Sequence, residues 1–208
     1  MKPLCSLFAL LFALAPTAFA ATDIETGTPI YFGNGCAKNS VSIAFAPDSL
    51  SFSVLYDEMV AGVSASDHRR SRHKTCEVFI PITLPKNTAL SIENVDYRGF
   101  AALPTSGHAS LKATYGFWPS VHGFRFDGNH FKRKFKAPYM DEYQISTDAF
   151  AKDHKPTSAC GGKVYLYLGD RLNLHAKKGA DAQITLDSVD GALGNHYSLA
   201  LKRCKQSH

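Results

Sequence analysis

Apolar and polar residues alternate with a period of two along most of this chain, a pattern that suits half-buried strands and not helices. Val41, Ile43 and Phe45 point one way while Ser40, Ser42 and Ala44 point the other. Pro47-Asp48 marks a turn, after which Leu50, Phe52, Val54 and Tyr56 alternate with Ser51, Ser53 and Leu55. Cys76, Val78, Ile80, Ile82 and Leu84 repeat the pattern until Pro85-Lys86-Asn87 ends it. Further strands are expected over 90–97, 109–117, 163–168, 171–175, 183–190 and 196–204. Residues 124–126 and 130–135 flank Asp127-Gly128-Asn129, which reads as a hairpin turn because Gly tolerates positive φ. Helical evidence is confined to 147–152, one short turn with Ser146 or Thr147 as its cap. Ten or more strands separated by turn signals predict an all-β chain. The expected architecture is a single-domain antiparallel β-sandwich, jelly-roll-like and disulfide-stabilised.

The first residues set the compartment. Lys2, an apolar run over 7–15 and the small-x-small site Ala18-Phe19-Ala20 read as a secretory signal peptide over 1–20. The run is too short for a bilayer, which takes about 20 apolar residues, and Pro16 interrupts it. No later stretch is long enough either, so no transmembrane segment is expected. Residues 21–208 then form one β-sandwich domain, extracellular or periplasmic. Cys5 leaves with the signal and sits too far upstream of the cleavage point to carry a lipid. Removing residues 1–20 takes one basic group and no acid, so the formal charge falls from +5 to +4. That mild excess favours anionic partners weakly and does not by itself imply nucleic acid, which is not expected.

Four cysteines remain: Cys36, Cys76, Cys160 and Cys204. An even number in an exported chain argues for two disulfides, of which three connectivities are possible. The sequential pairing is preferred, because it ties each end of the chain to a strand next to it in the assumed sheet order. Zinc is the competing use, but no Cys-x-x-Cys or His-x-x-x-His neighbour supports it.

The most chemically coloured segment runs from His130 to Lys136. On a strand, Lys132, Lys134 and Lys136 share one face at intervals of about 6.5–7 Å, and Phe131, Arg133 and Phe135 take the other. Arg125, on the strand expected before it, extends the positive field. Such a repeat suits sulfate, phosphate or carboxylate groups along an acidic polysaccharide, lipopolysaccharide, nucleic acid or another anionic surface. The competing reading is an edge strand kept unpaired by its lysines. A second basic cluster comprises Arg69, Arg70, Arg72 and Lys74, with His68 and His73, just before Cys76. If it folds beside the lysine strand, the two make one anion-binding surface; alone it is a solvated loop. His68 and His73 make a poor metal pair beside so many cations, and no metal or cofactor is expected.

Asp96, Asp187 and Asp190 are the candidates for an enzyme, since two carboxylates about 5–9 Å apart can hydrolyse a glycoside. Their structural reading is simpler: Asp190-Gly191 as a turn, and Asp96 paired with Arg98 or capping backbone N–H groups. Tyr115, Phe117, Trp118, Phe124 and Phe126 are dense enough to line a carbohydrate platform, yet alternating aromatics on strands usually pack in a core. Trp118, at a Trp-Pro turn, is the one singled out for exposure. No Gly-x-Ser-x-Gly elbow, His-Glu-x-x-His site or phosphate loop is present.

Three stretches together resemble a family of small secreted proteins, domain of unknown function 4360. They are Val95-Asp96-Tyr97-Arg98-Gly99-Phe100-Ala101-Ala102-Leu103 with Gly107 and the strand over 109–117; Asp187-Ser188-Val189-Asp190-Gly191 leading to Tyr197-Ser198-Leu199 and Cys204; and the frame of Gly35-Cys36, a basic loop before Cys76, and Cys160-Gly161. Pro138-Tyr139 through Tyr143 resembles the family's mid-chain turn and strand. Departures are Ala159 in place of a proline, Leu201 in place of a tryptophan, and a more basic stretch over 124–136. The resemblance implies an exported β-rich domain with disulfides and carries over no catalytic residue. The functional expectation is a secreted, non-enzymatic protein whose basic surface binds anionic extracellular or cell-envelope material. The alternatives are a polysaccharide hydrolase using a carboxylate pair, and an effector or inhibitor with a protein partner.

Overall fold

A computed structural model describes residues 24–66, 69–104, 106–147, 154–187 and 194–204. The expected signal segment, Asp67, His68, Asp190 and the helical turn beyond Thr147 lie outside the described residues. Two antiparallel sheets face each other. Sheet one holds β1 (Glu25–Thr26), β2 (Ile30–Phe32), β6 (Ser71–Leu84), β8 (His108–Trp118), β9 (Asp127–Lys136) and β11 (Gly162–His175). Sheet two holds β3 (Val41–Phe45), β4 (Ser51–Tyr56), β5 (Val60–Val63), β7 (Thr88–Leu103), β10 (Tyr139–Ser146), β12 (Ala182–Thr185) and β13 (Asn195–Arg203). No helix among the described residues is long and apolar enough to cross a membrane.

The principal strands run β6-β11-β8-β9 in one sheet and β4-β13-β7 flanked by β10 in the other. Numbered one to eight along the chain, these strands order as 2-7-4-5 and 1-8-3-6, two interleaved Greek keys and therefore a jelly roll. The alternation read from the sequence generates the core directly. Cys76, Val78, Ile80, Ile82 and Leu84 of β6 are all buried, facing Leu90, Ile92, Val95 and Tyr97 of β7 in the same cluster. β7 changes parity between Ile92 and Val95, because the β13 register skips Glu93. That bulge lets both halves of a 16-residue strand keep their apolar side chains inward.

Several details differ from the sequence expectation. The basic segment before Cys76, read as a loop, is strand from Ser71 onward because it pairs with β11 as far as His175↔Ser71, and residues 124–126 are loop rather than strand. Asp127-Gly128-Asn129 is not a turn: β9 begins at Asp127 and pairs with β8 without interruption from Phe117↔Asp127 to His108↔Lys136. The chain turns earlier, at Ser120–Gly123, where two backbone hydrogen bonds of 3.0 Å close the loop. Gly128 is used for closeness: it lies opposite Gly116, and a Cβ on either would overlap the Phe126 ring. Strand 162–175 is likewise continuous, since Gly169 is covered by Tyr167 and Asp170 turns inward.

Asp170 lies between the sheets, completely enclosed. Its Oδ2 accepts a 2.8 Å hydrogen bond from the Tyr56 hydroxyl, while Oδ1 has no partner among the described residues. Burial pushes this carboxyl up to about 7, outweighing the opposing pull of the Tyr56 hydrogen bond. Burial first, with Asp170 adding to it, also holds Tyr56, Tyr97 and Tyr197 well above the usual phenol range.

Cys36 pairs with Cys76 and Cys160 with Cys204, the sequential connectivity, with Cα–Cα separations of 5.4 and 6.1 Å. The first joins the chain's entry to the middle of β6; the second pins the end of β13 to the start of β11.

The bridges close segments of 40 and 44 residues, each worth about 4 kcal/mol through the unfolded chain. Cys36 and Cys76 are buried and Cys160 is exposed. Replacing Cys36 and Cys76 by Ala should therefore lower urea stability more than replacing Cys160 and Cys204, which should lose about 4 kcal/mol. For Asp170, a folded pKa above the ordinary 3.8 means that the native state holds the proton more tightly. Its contribution is fully present below pH 3.8 and is lost as pH rises toward 7, a change on the order of 4 kcal/mol. Thermal unfolding across that range should show the decline, and Asp170→Asn should flatten it.

Candidate functional site

The outer face of sheet one carries what the core leaves over. Register places Lys136, His108, His175 and Ser71 in one row across β9, β8, β11 and β6. Lys134, Ser110, Asn173 and His73 form the next row, and Lys132, Lys112, Arg171 and Thr75 the third. Apart from Thr75, the residues of these rows line an open groove of about 760 Å³, which Arg72 also borders. His175 Nδ1 lies 2.7 Å from the Ser71 hydroxyl, and its ring sits 5.0 Å from that of His108. Among the described residues, no carboxylate forms an ion pair with Lys112, Lys132, Lys134, Lys136 or Arg171. Three of these cations, Lys132, Lys112 and Arg171, stand side by side on adjacent strands, where like charges repel.

The expected site residues divide around this groove. Lys132, Lys134 and Lys136 share its wall with Arg72 and His73 of the second basic cluster. Lys74 faces away from it and donates to the Asn34 carbonyl at 2.8 Å. Arg69 and Arg70 are exposed just upstream of β6, and the Arg70 carbonyl accepts from Ala176 N–H. Arg133 has the opposite parity from the lysines and is exposed on the edge strand. Arg125 is in the loop before β9, not on a strand, at the end of the sheet remote from Lys136. Lys112 and Arg171 escaped the sequence reading because each stands alone in its own strand; only register brings them together.

Along the same strands the face changes character. His130, Thr114, Gly169 and Glu77 form a fourth row, and beyond it Tyr167 and Phe79 stand beside Gly128 and Gly116. Ile30, Phe79, Trp118, Phe126, Tyr165 and Tyr167 line a second open groove of about 520 Å³. The rings touch in sequence: Phe32–Phe79 at 6.0 Å, Phe79–Tyr167 at 5.0 Å, Tyr167–Phe126 at 5.6 Å. Trp118 lies 6.1 Å from Tyr165 and 5.7 Å from Phe124. Burial, followed by the charge and hydrogen bond of Glu77, pushes the Tyr167 hydroxyl up. Of the aromatics singled out beforehand, Tyr115 and Phe117 are core, whereas Trp118, Phe124 and Phe126 are 41%, 83% and 45% exposed.

Asp96, Asp187 and Asp127 make local hydrogen bonds. Asp96 accepts from Asn94 Nδ2 at 3.1 Å. Asp187, at positive φ, accepts from the Tyr56 N–H and donates its own N–H to the Arg98 carbonyl. Asp127, buried at the start of β9, takes His154 Nε2 at 2.6 Å and the Thr157 N–H at 2.9 Å, fastening residues 154–158. Among the described residues, no group of three or more His, Cys, Asp or Glu side chains is placed to hold a metal ion.

Disulfides and fold define the class: the chain is a secreted, all-β sandwich protein. It belongs to the family described as domain of unknown function (DUF4360), whose model matches residues 23–204. An "Uncharacterized secreted protein" of Arthroderma benhamiae is 23% identical over 175 residues, covering 84% of this chain and 69% of that protein. Among solved structures, TmCBM61 in complex with beta-1,4-galactotriose is similar over 84% of this chain and 88% of its own, with TM-score 0.28 and 12% identity. Bacteriophage CBA120 tailspike protein 4 is similar over 84% of this chain and 19% of its own, with TM-score 0.26 and 11% identity. Superpositions this loose transfer no ligand.

Proposed function

We propose that this secreted protein is a non-enzymatic binding module, one folded domain from about residue 21 onward, that holds anionic extracellular or cell-envelope polymer in the basic groove of sheet one. The observation that carries the reading is the row Lys132, Lys112, Arg171. An array of like charges on neighbouring strands opposes folding slightly, and an anionic ligand turns that repulsion into attraction. Lys134, Lys136 and Arg72 continue the wall, while Arg69, Arg70 and Arg133 extend the positive field beside it. Arg125 belongs to the other end of the face and contributes at longer range.

A second reading is favoured by β9 being the outer strand of its sheet. Lysines on an edge discourage pairing with another chain. That accounts for Lys132, Lys134 and Lys136 but not for Lys112 or Arg171, which lie on interior strands β8 and β11.

Retention on a heparin-type matrix under a salt gradient separates the readings. Lys132→Glu, Lys134→Glu and Lys136→Glu together should weaken binding at low salt by at least about tenfold, since exposed ion pairs contribute up to about 1 kcal/mol each. Lys112→Ala with Arg171→Ala should weaken it as well. Unchanged retention in the interior pair, with circular dichroism confirming the fold, would leave only edge protection.

A further inference from the structure

We infer that the aromatic groove is a sugar-stacking subsite and that the polymer crossing this face is a polysaccharide bearing both acidic groups and uncharged units. The inference rests on the basic groove being the anion site, and it adds what the rest of the ligand must be. Three observations bear on it.

The first is continuity. Tyr167 lies on the same strand and the same face as Arg171, four residues away, or about 13 Å at strand rise. A chain held by its acidic group in the cationic rows reaches the rings without leaving the sheet.

The second is how the rings are held. Trp118 and Phe126 remain about half open to solvent, yet Phe126 lies against Gly116 and Gly128, and Tyr167 covers Gly169. Small residues beneath large ones let exposed rings lie down on the backbone, presenting fixed faces. Five of the six groove-lining residues are aromatic and none is charged. An open surface of flat rings suits the apolar face of a pyranose; an acyl chain calls for an enclosed aliphatic channel.

The third is the sorting of charge. A nucleic acid strand carries a phosphate at every unit, so its binding surface interleaves cations with rings. Here charge is unevenly sorted: Lys112, Lys132, Lys134, Lys136 and Arg171 gather at one end, whereas the ring end keeps only Lys163, 5.6 Å over the Tyr165 ring, and Arg125 in the loop between Phe124 and Phe126. Glu77 stands between the two ends in the row next to Tyr167. That carboxylate repels a uniform polyanion but accepts hydrogen bonds from sugar hydroxyls, and Thr114 and His130 share its row.

Trp118 is the only tryptophan in the chain, so its emission reports this groove alone. The full mature protein is titrated with partly methyl-esterified pectin, cellohexaose, single-stranded DNA and phosphatidylglycerol vesicles, and retention on the heparin-type matrix is measured in parallel. Both glycans should shift Trp118 emission. Phe126→Ala should weaken pectin binding about tenfold, the scale of one well-placed ring contact, without altering the salt dependence of matrix retention. Gly128→Ala, whose Cβ would displace the Phe126 ring, should act in the same direction. Matrix retention with no emission response to either glycan overturns the sugar subsite and leaves the basic groove standing. Loss of retention from the wild-type protein overturns the groove reading itself. An emission shift produced by DNA or vesicles but by neither glycan, or by protein concentration alone, also overturns the inference and assigns the rings to nucleic acid, lipid or a second copy of this chain.

Discussion

The packing of sheet one against sheet two fixes the parity of β6, β8 and β11, and everything exposed on the outer face follows from that constraint. Leu166, Leu168, Leu172 and Leu174 of β11 are fully buried or nearly so, which leaves Tyr165, Tyr167, Arg171 and Asn173 no direction but outward. Slipping β11 by one residue would drive Arg171 between the sheets and lift four leucines into water. An unpaired guanidinium in that position costs far more than any surface contact returns. The outer face is thus specified by the same side chains that make the core.

That dependence explains how much was legible in the sequence. The strict alternation from Cys76 to Leu84 announced that strand's inner face and its end, but not its start at Ser71, which lies in the basic segment read as a loop. Cysteine parity and order led to the observed disulfides. The lysine triplet was visible because it lies within one strand. Lys112 and Arg171 are 59 positions apart in the numbering, and nothing local marks either as a partner of Lys132. Sheet order is a long-range property, decided by the Greek-key path and not by neighbours in sequence. The misplaced hairpin has a different cause. Asp-Gly is a turn signal when backbone freedom is the reason for the glycine, but Gly128 is needed for the space that Phe126 fills. The two uses look identical in a sequence.

The exposed cations oppose folding only modestly. Two unit charges about 5 Å apart in water repel by roughly 1 kcal/mol, and salt lowers that further. Each disulfide offsets several such terms at about 4 kcal/mol. The buried acid Asp170 is a larger liability, and its placement among Tyr56, Tyr97 and Tyr197 shows how it is accommodated: one hydroxyl hydrogen bond and a proton retained to about pH 7. It borders neither groove, and its perturbed titration follows from burial in the core.

The two ends of the face differ in what they demand of a ligand, and their order along the strands matters as much as their composition. Cationic rows attract at a distance and tolerate many geometries, because exposed lysines are flexible. Rings pinned over glycine are selective only at contact. On the proposed binding reading, a polymer arriving by charge would first be held loosely at Lys132, Lys134 and Lys136 and then be tested against the aromatic surface beyond Glu77. A ligand with acid at every unit meets the Glu77 carboxylate in its path, and a wholly neutral one gains nothing from the cations. Only a chain that changes character along its length engages both ends at once. Linkage then makes the combined affinity exceed that of either end by the effective concentration the shared chain provides.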